Sequence, residues 1–160
     1  MASTEPPSIV IDTCLYITFL SGQDPKLAAR VKELLELDGK DHVILLPAIV
    51  QAETVGVARN VLRTDKNTPE TRRDAAQKAI KFFAEMNLHF VELDKLTVQK
   101  ANALSVEHDL KGPDSSILAT AIQCGASHLY TSDGDLKKLD GVFPNLSISD
   151  PPECMMLPGL

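Results

Sequence analysis

Short, uniformly apolar segments alternate with longer helical patterns along this chain, and that alternation most constrains its fold. The clearest segments are Ser8–Ile11 (SIVI) and residues 42–46 (HVILL), both rich in aliphatic side chains. Strands that are apolar on both faces are typical of a parallel sheet with helices on each side. Further short strands are predicted at residues 88–91, 127–131 and 146–148. The sequence therefore predicts a doubly wound α/β fold with a mostly parallel sheet of four to five strands.

The predicted helices begin at capping residues or prolines. Asp24 before Pro25 indicates a helix start, since Asp caps a helix and Pro suits its first turn. Pro47 is expected to open another helix, and Thr68 or Pro69 the next. On the helix that begins at Thr68 or Pro69, the apolar spacing predicts that Ala76, Ile80 and Phe83 face inward. On the helix predicted over residues 94–110, it predicts the same for Leu96, Ala103 and Leu104. We expect one domain over residues 8–150, a flexible tail at 1–7 and a C-terminal tail at 151–160.

Four acidic residues lie where such a sheet would bring them together. Asp12 follows the first strand, Asp133 follows the fourth, and Asp114 opens a helix in GPDSS. In an open α/β sheet the loops beyond the carboxyl ends of the strands form the ligand crevice. Each of these three residues has a structural alternative, because Asp is also a favoured N-cap and turn residue.

Glu53 is harder to explain as a structural residue. Its neighbours three and four positions away on the predicted helix are Ile49, Val50, Gly56 and Val57, all uncharged. A carboxylate on an apolar face needs a partner. Because four converging carboxylates would also repel one another, we expect a divalent cation such as Mg²⁺ or Mn²⁺ between them.

Composition narrows the possible environments. Only 4% of residues are aromatic and the net charge is −6, which disfavours base stacking and nucleic-acid binding through overall charge. Three cysteines (Cys14, Cys124 and Cys154) without a CxxC pair predict free, buried thiols in a reducing cytosol. The first residues lack a signal-peptide pattern, and no apolar run approaches the roughly 20 residues that span a bilayer. The expected location is therefore cytoplasmic, with no membrane contact.

Three segments together resemble the PIN domain, a family of metal-dependent ribonucleases that includes VapC toxins. They are VIDT, the small-residue helix around the Ala-Glu pair at 52–53, and PDSSILATAIQCGASHLYTSDGDL. The resemblance spans most of the chain and implies a PIN-like three-layer α/β/α fold. It implies that the catalytic and metal-binding acids are Asp12, Glu53, Asp114 and Asp133, with Asp135 as a further metal-binding acid. Thr13 and Thr131 would support them by hydrogen bonds. Cys14 departs from the Asn or Ser common in the family at that position, and Leu136 replaces a frequent aromatic.

The resemblance implies an endoribonuclease that uses Mg²⁺ or Mn²⁺ and leaves a 5′-phosphate and a 3′-hydroxyl. It also implies a homodimeric toxin of a toxin–antitoxin pair, with an antitoxin protein as partner. One alternative is a PIN-like module that binds RNA or protein without turnover, which four mutually repelling acids disfavour. Another is a receiver-type phosphoacceptor domain, which would need an acidic pair near the first strand, where Asp12 stands alone.

An acidic site that cleaves RNA needs basic residues around it. Residues 59–81 contain seven Lys and Arg against three Asp and Glu, a net charge of +4, which leaves −10 for the rest of the chain. Phosphate contacts from this stretch would give affinity without sequence choice. The candidate RNA contacts are Arg59, Arg63, Lys66, Arg72, Arg73 and Lys111. The alternative is an ordinary solvated helix face.

Overall fold

A five-stranded parallel sheet lies at the centre of the computed structural model, which describes residues 5–61 and 68–154. In chain order its elements are β1 (Ser8–Ile11), α1 (Thr13–Ser21), α2 (Pro25–Glu36), β2 (Val43–Pro47), α3 (Ala48–Val61), α4 (Pro69–Met86), β3 (His89–Val91), α5 (Lys95–His108), α6 (Gly112–Gln123), β4 (His128–Tyr130), α7 (Gly134–Lys137) and β5 (Ser147–Ser149). The strand order is β3-β2-β1-β4-β5, and every neighbouring pair is parallel. The predicted α/β class and strand number are confirmed.

The order of the strands places a crevice beside β1. The chain runs outward from β1 through β2 to β3, and then crosses to β4 on the other side of β1. Ile11 at the end of β1 pairs with Tyr130 at the end of β4. A reversal of this kind is the topological switch point at which open α/β sheets bind ligands. Residues that directly follow β1 and β4 are therefore brought to the same place.

Most predicted boundaries agree with the structure, but Pro47 does not open α3. It ends β2 instead and pairs with Val91 of β3, next to the sheet edge. Because Pro lacks a backbone N–H, such a strand end tolerates it. The predicted caps at Asp24 and Thr68 are present, each accepting a hydrogen bond from the backbone three residues later.

The inward faces of α4 and α5 differ from the prediction. On α4 the buried residues are Ala75, Ala79 and Phe83, whereas Ile80 is 43% exposed. On α5 the buried set is Thr97, Ala101 and Leu104, whereas Leu96 is 65% exposed and Ala103 is also exposed. Thr97 can be buried because its hydroxyl oxygen lies within hydrogen-bond distance of Asp94 Oδ1 at 2.8 Å and of Gln123 Oε1 at 2.7 Å. Apolar spacing alone missed a polar residue whose hydrogen bonds are satisfied internally.

Aromatic packing fixes α1 against α4. The ring of Tyr16 is fully buried and meets Phe83 edge-to-face, with ring centroids 5.2 Å apart. Phe82 contacts both Tyr16 and Phe19. These contacts hold the start of α1, which follows Asp12, at a fixed height over the sheet.

The cysteines are free, as predicted, but they are less buried than expected. Cys14 and Cys154 are partly exposed, and Cys124 is exposed at the end of α6. In the described ranges, no helix combines the length and apolar character needed to cross a membrane.

Candidate active site

A cavity of about 400 Å³ opens at the carboxyl edge of the sheet, where the crevice beside β1 is expected. The start of α1, the middle of α3, the start of α6 and the loop after β4 all contribute side chains to it. Its lining residues are Asp12, Thr13, Cys14, Ile17, Glu53, Val57, Lys111, Pro113, Asp114 and Asp133. The four predicted acids thus reach one cavity from four separate elements.

Asp12 is the most buried of the four acids. It is 4% exposed and caps α1, because its Oδ1 accepts a hydrogen bond from the Thr13 backbone N–H at 2.7 Å. Burial raises the pKa of Asp12, and hydrogen bonds from Thr131 and Cys14 oppose that rise. Helix capping and a place in the cavity therefore coexist in one residue.

Thr131 connects two of the acids. Its hydroxyl is fully buried, donates to Asp12 Oδ2 at 2.6 Å and accepts from the Asp133 backbone N–H at 2.9 Å. One side chain at the end of β4 therefore sets the orientation of Asp12 and the path of the loop that carries Asp133.

Replacing Thr131 with Val is expected to lower the free energy of unfolding by about 2 kcal/mol, since a hydrogen bond to a charged group contributes about 1.5–3 kcal/mol. Thr131→Ser is the matched control, because it keeps the hydroxyl and should retain most of the stability. Urea unfolding of both variants measures the difference. Equal stability of the Val and Ser variants would show that the hydroxyl does not hold Asp12.

Glu53 has a partner that its helical neighbours do not reveal. It is partly buried on α3, and its Oε2 accepts a hydrogen bond from the Thr13 hydroxyl at 2.9 Å. Thr13 is the first residue of α1, so this bond joins the two helices at the cavity. The partner lies 40 residues away in sequence and is neutral, so the carboxylate charge itself stays uncompensated by this contact.

Asp114 is not a helix cap. The N-cap of α6 is Lys111, and Asp114 lies in the first turn of the helix. Burial raises the pKa of Asp114 to about 6, and the negative charges of Asp133, Asp12 and Glu53 add to that rise. Lys111 opposes this rise. The other three carboxylates act on Asp114 because all four line the same cavity.

Asp133 and Asp135 have different positions. Asp133 lines the cavity and caps α7, with its Oδ1 accepting from the backbone N–H groups of Asp135 and Leu136. The Asp135 side chain is exposed and pairs with Lys138 at 3.0 Å, which lowers its pKa. The structure therefore does not bring Asp135 into the cavity with the other acids.

The Cys14 thiol gives Asp12 a further hydrogen bond that the sequence did not predict. The Cys14 thiol donates to Asp12 Oδ2 at 3.4 Å, and the Ser132 hydroxyl donates to the Cys14 sulfur at 3.3 Å. The thiol thus occupies the polar position that Asn or Ser would fill. Ser132 lies inside the TSD segment, next to Thr131, but its role could not be foreseen because Cys14 is 118 residues away.

The candidate RNA contacts divide into separate groups. Lys111 lines the acidic cavity. Arg59, Arg72 and Arg73 line a second groove, between α3 and α4. Arg63 and Lys66 lie outside the described residues.

The donor set of the cavity suits a hard divalent cation. Carboxylate oxygens are the ligands that Mg²⁺ and Mn²⁺ prefer, and a positive charge would relieve the repulsion that raises the pKa of Asp114. Within residues 5–61 and 68–154, no three acidic, His or Cys side chains already form a group that could hold a metal ion. Asp12 and Glu53 are held by hydroxyl groups, whereas the side chain of Asp114 has no hydrogen-bond partner in that part of the chain. Asp114 is therefore the acid least fixed in position.

The fold and the cavity define a class: parallel α/β proteins with a cluster of acids at the topological switch point. The chain belongs to the PIN domain family, whose model matches residues 9–142. This match confirms the resemblance inferred from VIDT and TSDGDL. No curated protein sequence matches the chain significantly.

Three solved structures share the fold. VapC20 of Mycobacterium tuberculosis, a toxin that cleaves the sarcin–ricin loop, is 18% identical with a TM-score of 0.62 and covers 79% of this chain and 91% of its own. VapBC2 from Rickettsia felis, bound to a promoter DNA fragment, is 17% identical with a TM-score of 0.62, covering 89% and 98%. A toxin–antitoxin complex from Klebsiella pneumoniae is 22% identical with a TM-score of 0.60, covering 91% and 98%. At these identities the likeness concerns the fold alone.

Proposed function

We propose that this protein is a metal-dependent endoribonuclease that hydrolyses RNA phosphodiester bonds. The observation on which this proposal depends is the convergence of Asp12, Glu53, Asp114 and Asp133 on one cavity. A protein that only binds RNA gains nothing from four carboxylates that repel one another and an anionic strand. The charges of Asp133, Asp12 and Glu53 contribute, after burial, to the raised pKa of Asp114, which supports this proposal.

Each acid has a distinct part in this proposal. Asp12 and Glu53, oriented by Thr131 and Thr13, form the fixed part of the cation site. Asp114 and Asp133 complete it from the other side of the cavity. A bound Mg²⁺ or Mn²⁺ would lower the pKa of an attacking water and stabilise the leaving oxygen.

Lys111 is the one cation among the described lining residues of this cavity, and it is exposed. We assign it to a non-bridging oxygen of the scissile phosphate, where its ammonium group would offset the charge that the acids repel. Asp135 remains a proposed auxiliary acid, although its side chain pairs with Lys138 and does not line the cavity.

The direct test is incubation of end-labelled single-stranded RNA with the purified protein and Mn²⁺ or Mg²⁺. We expect cleavage that EDTA abolishes and that either metal restores, with a 5′-phosphate and a 3′-hydroxyl at the new ends. A 2′,3′-cyclic phosphate at the new end would indicate attack by the neighbouring ribose hydroxyl and would contradict the proposal. Absence of cleavage across a panel of structured and unstructured RNAs would favour the non-catalytic PIN-like module.

We further propose that the protein is the toxin of a toxin–antitoxin pair and acts as a homodimer. The support is the shared fold with toxin–antitoxin complexes from Rickettsia felis and Klebsiella pneumoniae, each covering about nine-tenths of this chain. The partner would be an antitoxin protein.

A further inference from the structure

A groove between α3 and α4 is lined by three arginines and lies apart from the acidic cavity. It has a volume of about 360 Å³ and is formed by Arg59 of α3 together with Pro69, Arg72, Arg73, Ala76 and Gln77 of α4. This volume is within the range of small-ligand sites. No acidic side chain belongs to its described lining, although the chain as a whole carries a charge of −6.

The acids of the same helix do not line the groove. Glu70 and Asp74 are exposed on α4 and are not among the described lining residues. Arg59 and Arg73 are exposed and form no ion pair within the described ranges. Two guanidinium groups are therefore available to a ligand from outside.

The chemistry of the groove points to phosphate groups rather than bases. A guanidinium group donates two parallel hydrogen bonds to a phosphate, which makes Arg the usual residue for phosphate recognition. No aromatic side chain belongs to the described lining, so the groove offers no stacking platform for a base.

The groove and the acidic cavity share a helix. Glu53 lines the cavity and Arg59 lines the groove, six residues further along α3. At about 1.5 Å of rise per residue, the two Cα positions are separated by roughly 9 Å along the helix axis. A short stretch of extended single strand can span that distance.

We propose that this groove, the α3–α4 basic groove, binds backbone phosphates of the RNA strand adjacent to the phosphodiester held in the acidic cavity. The inference rests on the proposed ribonuclease function, and it adds where the substrate is held. The groove supplies affinity and salt dependence and does not select sequence, because phosphates are the same at every position. It also explains how an acidic protein retains a polyanion.

The test measures binding without cleavage. Fluorescence anisotropy of a labelled single-stranded RNA in EDTA gives the dissociation constant at several salt concentrations for wild type, Arg59→Gln, Arg73→Gln and the double variant. Each lost phosphate contact should reduce the slope of log K against log salt by about 0.7, which corresponds to roughly fourfold weaker binding at 0.15 M salt. The double variant should lose about twice the slope.

Two sets of control variants test whether the change in salt dependence comes from these particular arginines. One removes a charge elsewhere on the surface, and the other keeps the charge in the groove. Lys100→Gln removes one exposed charge on α5 and should leave the slope unchanged. Arg59→Lys and Arg73→Lys keep the charge and should retain the slope.

If the Gln variants bind RNA as Lys100→Gln does, the groove inference is wrong while the ribonuclease proposal stands. If they lose affinity for a poly-glutamate peptide but not for RNA, the groove is a protein-docking site and the inference is also wrong. A wild-type chain that neither binds nor cleaves RNA rejects both.

Discussion

Asp114→Asn should lower kcat/KM for RNA cleavage by at least about 100-fold and at the same time stabilise the metal-free protein. The loss of activity follows from removing one anionic ligand from a site whose electrostatic contribution is typically of that size. The gain in stability follows from the pKa of Asp114, which is raised to about 6 by burial and by three neighbouring carboxylates. A carboxyl group with a raised pKa in the folded state is destabilising when ionised, so at pH 7.5 its replacement by a neutral amide removes an unfavourable charge.

The size of that gain is modest because Asp114 is only partly buried. After allowance for solvent screening, we expect about 1 kcal/mol in the free energy of unfolding. Asp41→Asn is the matched control: Asp41 is exposed, lies outside the cavity, and should change neither quantity. Cleavage by Asp114→Asn at the wild-type rate would refute a catalytic role for the cavity. A variant that loses both activity and stability would show that Asp114 is structural.

Metal binding should raise the melting temperature of the wild-type protein by roughly 5–10 °C at pH 7.5. A ligand present at about 100 times its dissociation constant adds about 2.7 kcal/mol to the unfolding free energy. A change of 1 kcal/mol moves the melting temperature of a domain of this size by about 2–4 °C. Thermal unfolding with and without Mn²⁺ measures the shift, and Asp12→Asn should reduce it strongly.

The same experiment at pH 5 tests the site further. Below about pH 6 Asp114 binds a proton, and the cation must displace that proton in order to bind. With one competing proton, the affinity at pH 5 should be about tenfold weaker, and the stabilisation should fall to roughly half its value at pH 7.5. A melting temperature that Mn²⁺ leaves unchanged at both pH values would argue against a cation site.

Much of the fold could be predicted because local signals and the global topology agree. The apolar runs at β1 and β2 and the caps at Asp24 and Thr68 appear where the sequence places them. The errors have two physical causes. Pro47 is a helix-opening residue by preference but is tolerated at the end of a strand. The inward face of α5 was predicted wrongly because Thr97, a polar residue, is buried with its hydroxyl hydrogen-bonded to Gln123.

The acids of the site could be predicted because Asp12 and Asp133 follow strands, Asp114 lies at the start of a helix, and Glu53 lies on an apolar helix face. Their supporting contacts could not, because those contacts join residues far apart in sequence. Thr13 and Thr131 were suggested by the family resemblance, but the Ser132–Cys14–Asp12 contact had no local signal. Asp135 was grouped with the acids through the family resemblance, but it pairs with Lys138, three residues away, and does not line the cavity.

The hydrogen bond between Thr131 and Asp12 joins residues 119 positions apart in sequence, and this separation matters during synthesis on the ribosome. A nascent chain in which β4 has not yet been synthesised has neither this bond nor Asp133, so Asp12 lacks its contact with Thr131 and the proposed cation site is incomplete. Because domains fold as units during translation, we expect the proposed cation site to form only after β4 has been synthesised and has paired with β1.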